Sequence, residues 1–253
     1  MDKTEVLQIL DRERRTVASL GTHLEMKPNV VRAIGPGWSG IAFSRFSAAE
    51  ADAVIDQEIE HWSSLNRSFE WKVYSHDEPS DLIVKLRQRG FIIGNEEAFM
   101  ILDVDEAPET LSANPSIAIE VKQVSDESGI ADVLSVEKAI WNRTRLSHEQ
   151  LAANLTDSLQ REVTFVAYHD ENPVGFARVT TSPDSAFAGL WSGGVLRDFR
   201  GKGVYRALLS ARIEIARNQV RFLRVDALPT SRPILERYGF ISVAKTWPCD
   251  WLG

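Results

Sequence analysis

The sequence predicts an α+β fold in which a mixed, mostly antiparallel sheet is flanked by helices. Between residues 117 and 247, segments with strand-like alternation and segments with helical spacing follow one another in the order β-α-α-β-β-β-α-β-α-β. That order combines a run of antiparallel neighbours with one β-α-β crossover, which is typical of an α+β domain. Because 253 residues exceed one domain of ordinary size, a smaller domain is expected before it.

The first hundred residues show fewer clear elements. Apolar residues at helical spacing predict a helix over 3–20, and a second helix is expected to be capped by Ser47 and to run to Trp62. Residues 69–74 alternate like a strand. The polar stretch 105–115 contains two prolines and no periodicity, which indicates a linker. We therefore expect domains at 1–112 and 113–253.

The second domain is denser in predicted elements. Strands are expected at 117–121, 163–168, 174–179, 186–196, 222–228 and 240–247. Helices are expected at 130–140, 148–159, from 204 onward and at 232–238. The second and third strands are separated by a turn containing Asp170, Asn172 and Pro173, which predicts a hairpin.

Charge is distributed unevenly along the chain. The net charge of −7 argues against a general nucleic-acid binder. Residues 1–112 hold 12 basic and 20 acidic residues, a net of −8, and the remainder has a net of +1. Residues 197–224 contain eight basic residues against two acidic ones. This local excess favours a small polyanionic ligand, and the competing interpretation is a solvated helix face.

Composition also bears on location and on metal binding. No apolar run approaches the ~20 residues that span a bilayer, and the first residues lack the layout of a secretion signal. The single cysteine, Cys249, forms no internal disulfide. We therefore expect a cytoplasmic protein with no membrane or nucleic-acid partner. The five histidines show no paired metal-ligand spacing, so no metal is expected.

The most informative segment runs from Gly193 to Leu209. A strand leads into a basic turn with glycines at 201 and 203, and a helix follows. Several backbone N–H groups at a helix N-terminus lack partners and the helix dipole is positive there, so the turn suits a phosphate group. It is neither the nucleotide P-loop nor the Rossmann fingerprint, because the glycine spacing differs from both.

This segment and its surroundings resemble the GNAT superfamily of acyl-CoA-dependent N-acyltransferases. The family's signature, Gln/Arg-x-x-Gly-x-Gly/Ala, is matched by Arg200 and Gly203, whereas Tyr205 stands where the family has Gly or Ala. The segment from Leu235 to Phe240 resembles the family's later Leu-Tyr-x-x-x-Gly-Phe. The resemblance covers about residues 116–247.

The resemblance implies that acetyl-CoA is the cosubstrate and that it binds beside this turn. Backbone groups of Gly193 and Val195 are expected to pair with the pantetheine arm. The pyrophosphate is expected at the amides of Gly201, Lys202, Gly203, Val204, Tyr205 and Arg206, with Arg200 beside them. The strand ending at Val195 is expected to diverge from its neighbour near Asp226. An amine, expected to belong to a small molecule, then attacks the thioester directly in a ternary complex.

The acid and base are less evident. Leu235 occupies the position of the family's usual acidic tyrosine. Asp226 and Ser231 are the catalytic candidates, with a turn-side hydrogen-bonding role as the alternative for Asp226. Tyr238 is interpreted as a packing residue, which leaves proton relay by water. Two other functions stay open: acetylation of a protein amine, and a non-catalytic acyl-CoA-binding module. A homodimer is also left open.

The first half of the chain repeats part of the second. Trp71-Lys72-Val73-Tyr74, then Leu86 and Gly90-Phe91, parallel Leu223-Arg224-Val225-Asp226, then Leu235 and Gly239-Phe240. No Arg-x-x-Gly turn precedes Trp71. We therefore expect a tandem arrangement whose N-terminal domain is a degenerate GNAT-like copy without a cofactor site. The alternative is two unrelated α+β segments that share a common pattern.

Overall fold

A computed structural model describes residues 1–36, 38–112, 115–144, 147–157 and 161–253. The chain forms two compact units. Unit 1 comprises Met1–Met100, Asp226–Ile234 and Ile241–Gly253, and unit 2 comprises Ile101–Val225 and Leu235–Phe240. The predicted boundary at 112/113 differs from this division, because the C-terminal strand belongs to unit 1.

Unit 1 is built on a mixed sheet. Its elements are α1 (Lys3–Thr16), β1 (His23–Met26), β2 (Val30–Ile34), β3 (Ser39–Ser44), α2 (Ala51–Ser64), β4 (Phe69–Tyr74), α3 (Leu82–Gln88), β5 (Ile92–Ile93) and β12 (Ile241–Trp251). The strand order is β1-β2-β3-β4-β12, with β5 also paired to β12. All of these pairs are antiparallel except β3–β4, which are parallel and are joined through α2.

The core of unit 1 lies between its helices and one face of this sheet. Helix α2 buries Ala51, Val54, Ile55 and Trp62, at the spacing that forms a single apolar stripe. Trp71 points from β4 into the same cluster and is fully buried. The alternating pattern of β4 arises because Phe69, Trp71 and Val73 face this core, whereas Glu70 and Lys72 face the other side of the sheet.

Unit 2 contains the longer meander. Its elements are β7 (Glu120–Gln123), α4 (Glu127–Trp141), α5 (His148–Thr156), β8 (Glu162–His169), β9 (Asn172–Thr180), β10 (Phe187–Val195), α6 (Val204–Ala216) and β11 (Phe222–Ala227). The strand order is β11-β10-β9-β8-β7, in which only β10–β11 are parallel. Strand β6 (Glu97–Asp103) and helix α7 (Arg232–Glu236) start in unit 1 and end in unit 2, and the last two residues of β11 belong to unit 1.

The core of unit 2 forms where α4 and α5 cover the meander. Ile130, Val133 and Val136 of α4 pack with Val166 and Phe176 of the sheet. Helix α6 packs on β8, β9 and β10 through its own apolar stripe. The predicted α+β class, with a mostly antiparallel sheet flanked by helices, is therefore confirmed.

Several element boundaries differ from the sequence-based expectation. Helix α1 ends at Thr16 rather than near 20, and α2 begins at Ala51 with Glu50 as its N-cap, so Ser47 lies in the preceding turn. The strand expected at 117–121 lies at Glu120–Gln123. Strands β1, β2, β3, β5 and β6 were not predicted. The expected end of α5 at 159 lies outside the described residues.

The first part of the expected linker belongs to unit 2. A short 3₁₀ helix covers Glu109–Ser112, and the side chain of Leu111 is buried. Within the described ranges of the chain, no helix has both the length and the apolar character that crossing a bilayer requires.

Candidate functional site

Strands β10 and β11 separate within unit 2. They pair only from Phe187 to Gly189 on β10, opposite Phe222 to Arg224 on β11. Beyond that point β10 continues along β9 as far as Val195. A β-bulge interrupts the β10–β9 register at Ser192, whose φ is +24°. The expected divergence of these strands is present, and it leaves Gly193 exposed.

The turn between β10 and α6 requires glycine. Gly201 and Gly203 have φ values of +74° and +92°, in the region that side chains rarely adopt. Gly203 is the N-cap of α6, and a Cβ there would lie 2.9 Å from Cα of Pro115. The first N–H to bond within the helix is that of Ala207, which donates to the carbonyl of Gly203. The amides of the first turn of α6 therefore precede the helical hydrogen-bond ladder, as a phosphate site requires.

Positive charge surrounds these amides. Arg200 and Lys202 are exposed, and neither forms an ion pair with any residue that the structure describes. The ammonium of Lys202 lies 5.3 Å from the ring centroid of Phe199, a cation–π contact that holds it near the turn. Arg206 follows one helical turn later. Together these residues give the turn the electrostatic character expected for a bound polyanion.

The backbone of Val195 is partly engaged. The Nε of Arg200 donates to the carbonyl oxygen of Val195 at 3.0 Å. A carbonyl oxygen has two lone pairs, so this oxygen has room for a second donor beside Arg200. Arg200 thus ties the turn to the end of β10, a structural role that the sequence did not indicate.

A buried cation lies further along α6. Arg212 is 2% exposed, donates from Nε to the carbonyl of Leu208 at 3.1 Å, and its Cζ lies 5.7 Å from the ring centroid of Tyr205. Burial lowers the pKa of Arg212, and contact with Tyr205 opposes that shift. The ring of Tyr205 also lies 6.3 Å from that of Tyr238. Tyr205 therefore packs inside unit 2, and its seven-residue spacing from Arg212 on one helix face was the available sequence signal.

The bulge in β10 is held by side chains that the sequence analysis did not single out. Arg178 donates to Glu162 at 2.9 Å and to the hydroxyl of Ser192 at 3.1 Å. The indole of Trp191 donates to the hydroxyl of Thr180 at 2.7 Å. These bonds hold both sides of the bulge to β9 and fix where β10 bends, which is the feature that exposes the backbone of Gly193.

Asp226 and Ser231, the candidate catalytic residues, belong to unit 1, whereas the glycine turn belongs to unit 2. The carboxylate of Asp226 forms an ion pair with Lys72 at 3.1 Å and accepts from the hydroxyl of Thr246 at 3.3 Å. The hydroxyl of Ser231 donates to the carbonyl of Leu228 at 3.1 Å. Burial tends to lower the pKa of Lys72, but Asp226 and Glu97 raise it overall, so this cation persists at neutral pH.

The position of the family's tyrosine is part of the core. Leu235 is 1% exposed, and its carbonyl accepts from the N–H of Phe240 at 3.2 Å across Gly239, whose φ is +87°. This geometry is a helix C-terminal turn closed by a left-handed glycine. The apolar side chain of Leu235 fills a core position under this turn, so the leucine has a structural role.

One group of potential cation ligands lies elsewhere in unit 1. Asp11, His76 and Asp77 bring one ligand atom each within 4.8 Å of one another. Arg14 donates to both oxygens of Asp77, at 2.7 and 3.0 Å, and His76 lies 2.9 Å from Asp11. The guanidinium of Arg14 already supplies the positive charge that these carboxylates require. The cluster is therefore a salt-bridge network.

Known proteins with a similar sequence or fold were found by two comparisons. Residues 130–240 match the family model described as "Acetyltransferase (GNAT) family". No curated protein matches the sequence significantly.

Among solved structures, a GCN5-related N-acetyltransferase from Kribbella flavida superposes with a TM-score of 0.69 at 14% identity, over 99% of this chain and 94% of that one. A tandem GNAT protein from the clavulanic acid biosynthesis pathway gives a TM-score of 0.62 at 13% identity, over 96% of this chain and 87% of that one. A conserved protein of unknown function from Staphylococcus epidermidis gives 0.64 at 14% identity, over 92% and 94%.

At these identities the structural matches establish the fold alone. They extend over both units, whereas the family model covers the segment that contains β8 to α7. Residues 130–240 therefore match the GNAT acetyltransferase family, and the chain as a whole has the fold of these GNAT proteins, one of which is a tandem GNAT protein.

Proposed function

We propose that unit 2 binds acetyl-CoA at the turn 200–203 and transfers its acetyl group to an amine. The observation that carries the proposal is this turn: a left-handed glycine N-cap opens α6, beside two cations without ion-pair partners among the described residues. The exposed backbone of Gly193, next to the divergence of β10 from β11, supports a place for the pantetheine arm.

The chemistry requires little beyond positioning. The nitrogen of a neutral amine attacks the thioester carbonyl carbon, the new N–C bond forms, and the C–S bond breaks to release the CoA thiolate. One proton leaves the amine nitrogen and one reaches the sulfur. Because Leu235 offers no hydroxyl and Asp226 is ion-paired with Lys72, we assign both transfers to water.

Binding is tested by thermal unfolding of the full chain with and without acetyl-CoA. A ligand at 100 times its Kd stabilises the folded state by ~2.7 kcal/mol, which for a chain of this size raises the Tm by about 5–10 °C. Lys202→Glu should abolish the shift, since it places negative charge beside the pyrophosphate. Gly203→Glu is a poorer probe, because any Cβ there meets Pro115.

Arg217→Glu provides the matched control. Arg217 is the C-cap of the same helix, so the same charge change occurs at the opposite end of α6, roughly 20 Å away. This variant should keep most of the shift. If Lys202→Glu and wild type respond equally to acetyl-CoA, or if wild type shows no shift, the proposed site is refuted.

Catalysis is tested separately by CoA-thiol release over a panel of small amines and a peptide with a free N-terminus and lysine. Turnover of a small amine supports the proposal, and turnover of the peptide alone identifies a protein amine as the acceptor. Binding without turnover of any panel member favours a non-catalytic acyl-CoA module. We keep the expectation of a cytoplasmic location, consistent with the reduced, fully buried Cys249.

A further inference from the structure

Unit 1 contains a cavity of about 350 Å³ where β4 and the end of β12 meet the loop before β3. Its lining includes three aromatic and two acidic residues, which are Trp38, Phe69, Trp251, Glu70 and Asp250, and also Arg67. All of these residues belong to unit 1, whereas the glycine turn belongs to unit 2. The cavity therefore requires an explanation of its own.

The two carboxylates form an unfavourable pair. Glu70 and Asp250 are direct partners in the antiparallel register of β4 and β12, so their side chains leave the same face of the sheet. Like charges directly opposite each other across a strand pair are destabilising. Neither carboxylate forms a hydrogen bond or ion pair with any of the described residues.

The two nearby cations bond other groups. The guanidinium of Arg67 donates to the carbonyl of Gly35 and to the hydroxyl of Ser39. The ammonium of Lys72 lies 2.8 Å from Glu97 and 3.1 Å from Asp226. Neither side chain neutralises the Glu70–Asp250 pair by direct contact. Arg67 offsets part of the negative charge of the cavity, but both carboxylates remain open to direct contact by a cationic ligand.

An indole is positioned beside this charge. Trp38 is 43% exposed although it is a large apolar side chain, and it packs against Gly40, where a Cβ would lie 2.8 Å from its ring. The absence of a side chain at position 40 therefore makes room for the indole. Trp251 and Phe69 are register partners with ring centroids 5.9 Å apart on the apolar face of the sheet, opposite to the face of Glu70 and Asp250, so Trp38 rather than Trp251 is the indole beside these carboxylates. Aromatic faces attract cations, and tryptophan does so most strongly.

We propose that this cavity binds a small organic ammonium cation, with its charge between Glu70 and Asp250 and its alkyl part against Trp38. The ligand relieves the repulsion between the carboxylates and covers the exposed indole. An anion such as acetyl-CoA is excluded by the same charges. This site does not share residues with the proposed acetyl-CoA site, so the two proposals are tested independently of each other.

The titration of Glu70 supports the geometry. Burial raises the pKa of Glu70, Lys72 opposes this, and Asp250, Asp226 and Glu97 raise it further. Burial also raises the pKa of Asp250. A carboxyl with a raised folded-state pKa stabilises the fold below its unfolded value, and this contribution is lost as the pH rises through the folded value. At pH 7.5 the ionised pair therefore costs stability that a bound cation restores.

The test uses choline as the probe and 3,3-dimethylbutan-1-ol, its uncharged analogue of equal shape, as the control ligand. Both are titrated into the full chain at constant ionic strength, with tryptophan fluorescence and Tm as readouts. Choline should change both in a saturable way, and the uncharged analogue should bind at least tenfold more weakly. Equal binding of the two, or no binding of choline, overturns the proposal.

Two variants locate the site. Glu70→Gln and Asp250→Asn keep the side-chain shape and should each weaken choline binding at least tenfold. Glu96→Gln, which removes an exposed carboxylate paired with Lys245, is the control and should bind as wild type does. Choline binding that is unchanged in both site variants contradicts the assignment.

The ligand-free proteins give a second readout, which does not depend on choosing the right cation. Glu70→Gln should have a higher Tm than wild type at pH 7.5, because it removes the like-charge pair. The gain should vanish near pH 4, below the ordinary pKa of 4.5, where the glutamate is protonated in wild type as well. A lower Tm at pH 7.5 would show that Glu70 is structurally stabilising and would overturn the proposal.

Discussion

The two units contain the same parallel strand pair but different connections into the helix. In unit 1, β3 and β4 pair in parallel at Gly40–Glu70 and are joined through α2. In unit 2, β10 and β11 pair in parallel at Phe187–Phe222 and are joined through α6. A parallel pair needs such a crossover helix, so the scaffold by itself does not distinguish the units.

The residues just before each helix do distinguish them. Helix α6 is entered through Gly203, whereas α2 is entered through Glu50, whose carboxylate accepts from the N–H and the hydroxyl of Ser47 at 2.9 and 2.6 Å. The Glu50 carboxylate bonds back to Ser47 and does not cap the helix amides, but it places negative charge beside the N-terminus of α2, which disfavours a phosphate there. A few residues at the helix N-terminus therefore distinguish the two units, and they are the reason that we propose the acetyl-CoA site for unit 2 alone. We interpret unit 1 as a degenerate copy on this basis.

The turn after the next helix is alike in both units. Phe91 donates to the carbonyl of Leu86 at 3.2 Å, and Phe240 donates to the carbonyl of Leu235 at the same distance. Gly90 and Gly239 have φ values of +88° and +87°. The repeat noticed in the sequence thus corresponds to one repeated local structure, in which the leucine fills the core.

The largest expected effect tests whether this turn stabilises both units. Leu86→Ala and Leu235→Ala should each lower the free energy of unfolding by about 2–5 kcal/mol, because each removes a fully buried side chain. Leu65→Ala, at a position 51% exposed, is the control and should change it little. Denaturant unfolding measures all three. A cost for Leu235→Ala as small as that of the control would mean that the two turns are not equivalent.

A smaller effect separates the two glycines of the turn before α6. Gly203→Ala combines an unfavourable φ with a contact of 2.9 Å to Pro115, and should cost about 1–3 kcal/mol in unfolding free energy. Gly201→Ala has a similar φ but no atom within 4 Å of the new Cβ, and should cost only about 1 kcal/mol. Equal costs in thermal or denaturant unfolding would show that Pro115 does not constrain this turn.

The smallest effect concerns the residue just before the glycine of the Leu-x-x-x-Gly-Phe turn. This residue is Arg89 in unit 1 and Tyr238 in unit 2. Tyr238 packs beside Tyr205, so Tyr238→Phe should keep kcat within about threefold, far from the ~10²–10⁴ lost with a general acid. Steady-state thiol release with the best amine of the panel measures it. A loss of two decades at unchanged acetyl-CoA affinity would make Tyr238 the acid.

Much of unit 2 was predictable from the sequence because its signals are local. The hairpin β8–β9, the glycine turn and the Leu-x-x-x-Gly-Phe turn each depend on residues close together in the chain. The strands β2 and β3 were missed, since both are buried at nearly every position and show no alternation. The place of the C-terminal strand beside β4, and the ion pair of Lys72 with Asp226, depend on pairing across more than 150 residues, which no local pattern encodes.

The central claim is that one chain has one acetyl-CoA site, at the N-terminus of α6 and not of α2. Calorimetric titration of the full chain with acetyl-CoA, at several temperatures, tests it directly. The account predicts one site per chain, loss of measurable binding in Lys202→Glu, and unchanged binding in Glu50→Gln. Two equivalent sites, or binding that survives Lys202→Glu but responds to Glu50→Gln, would contradict it.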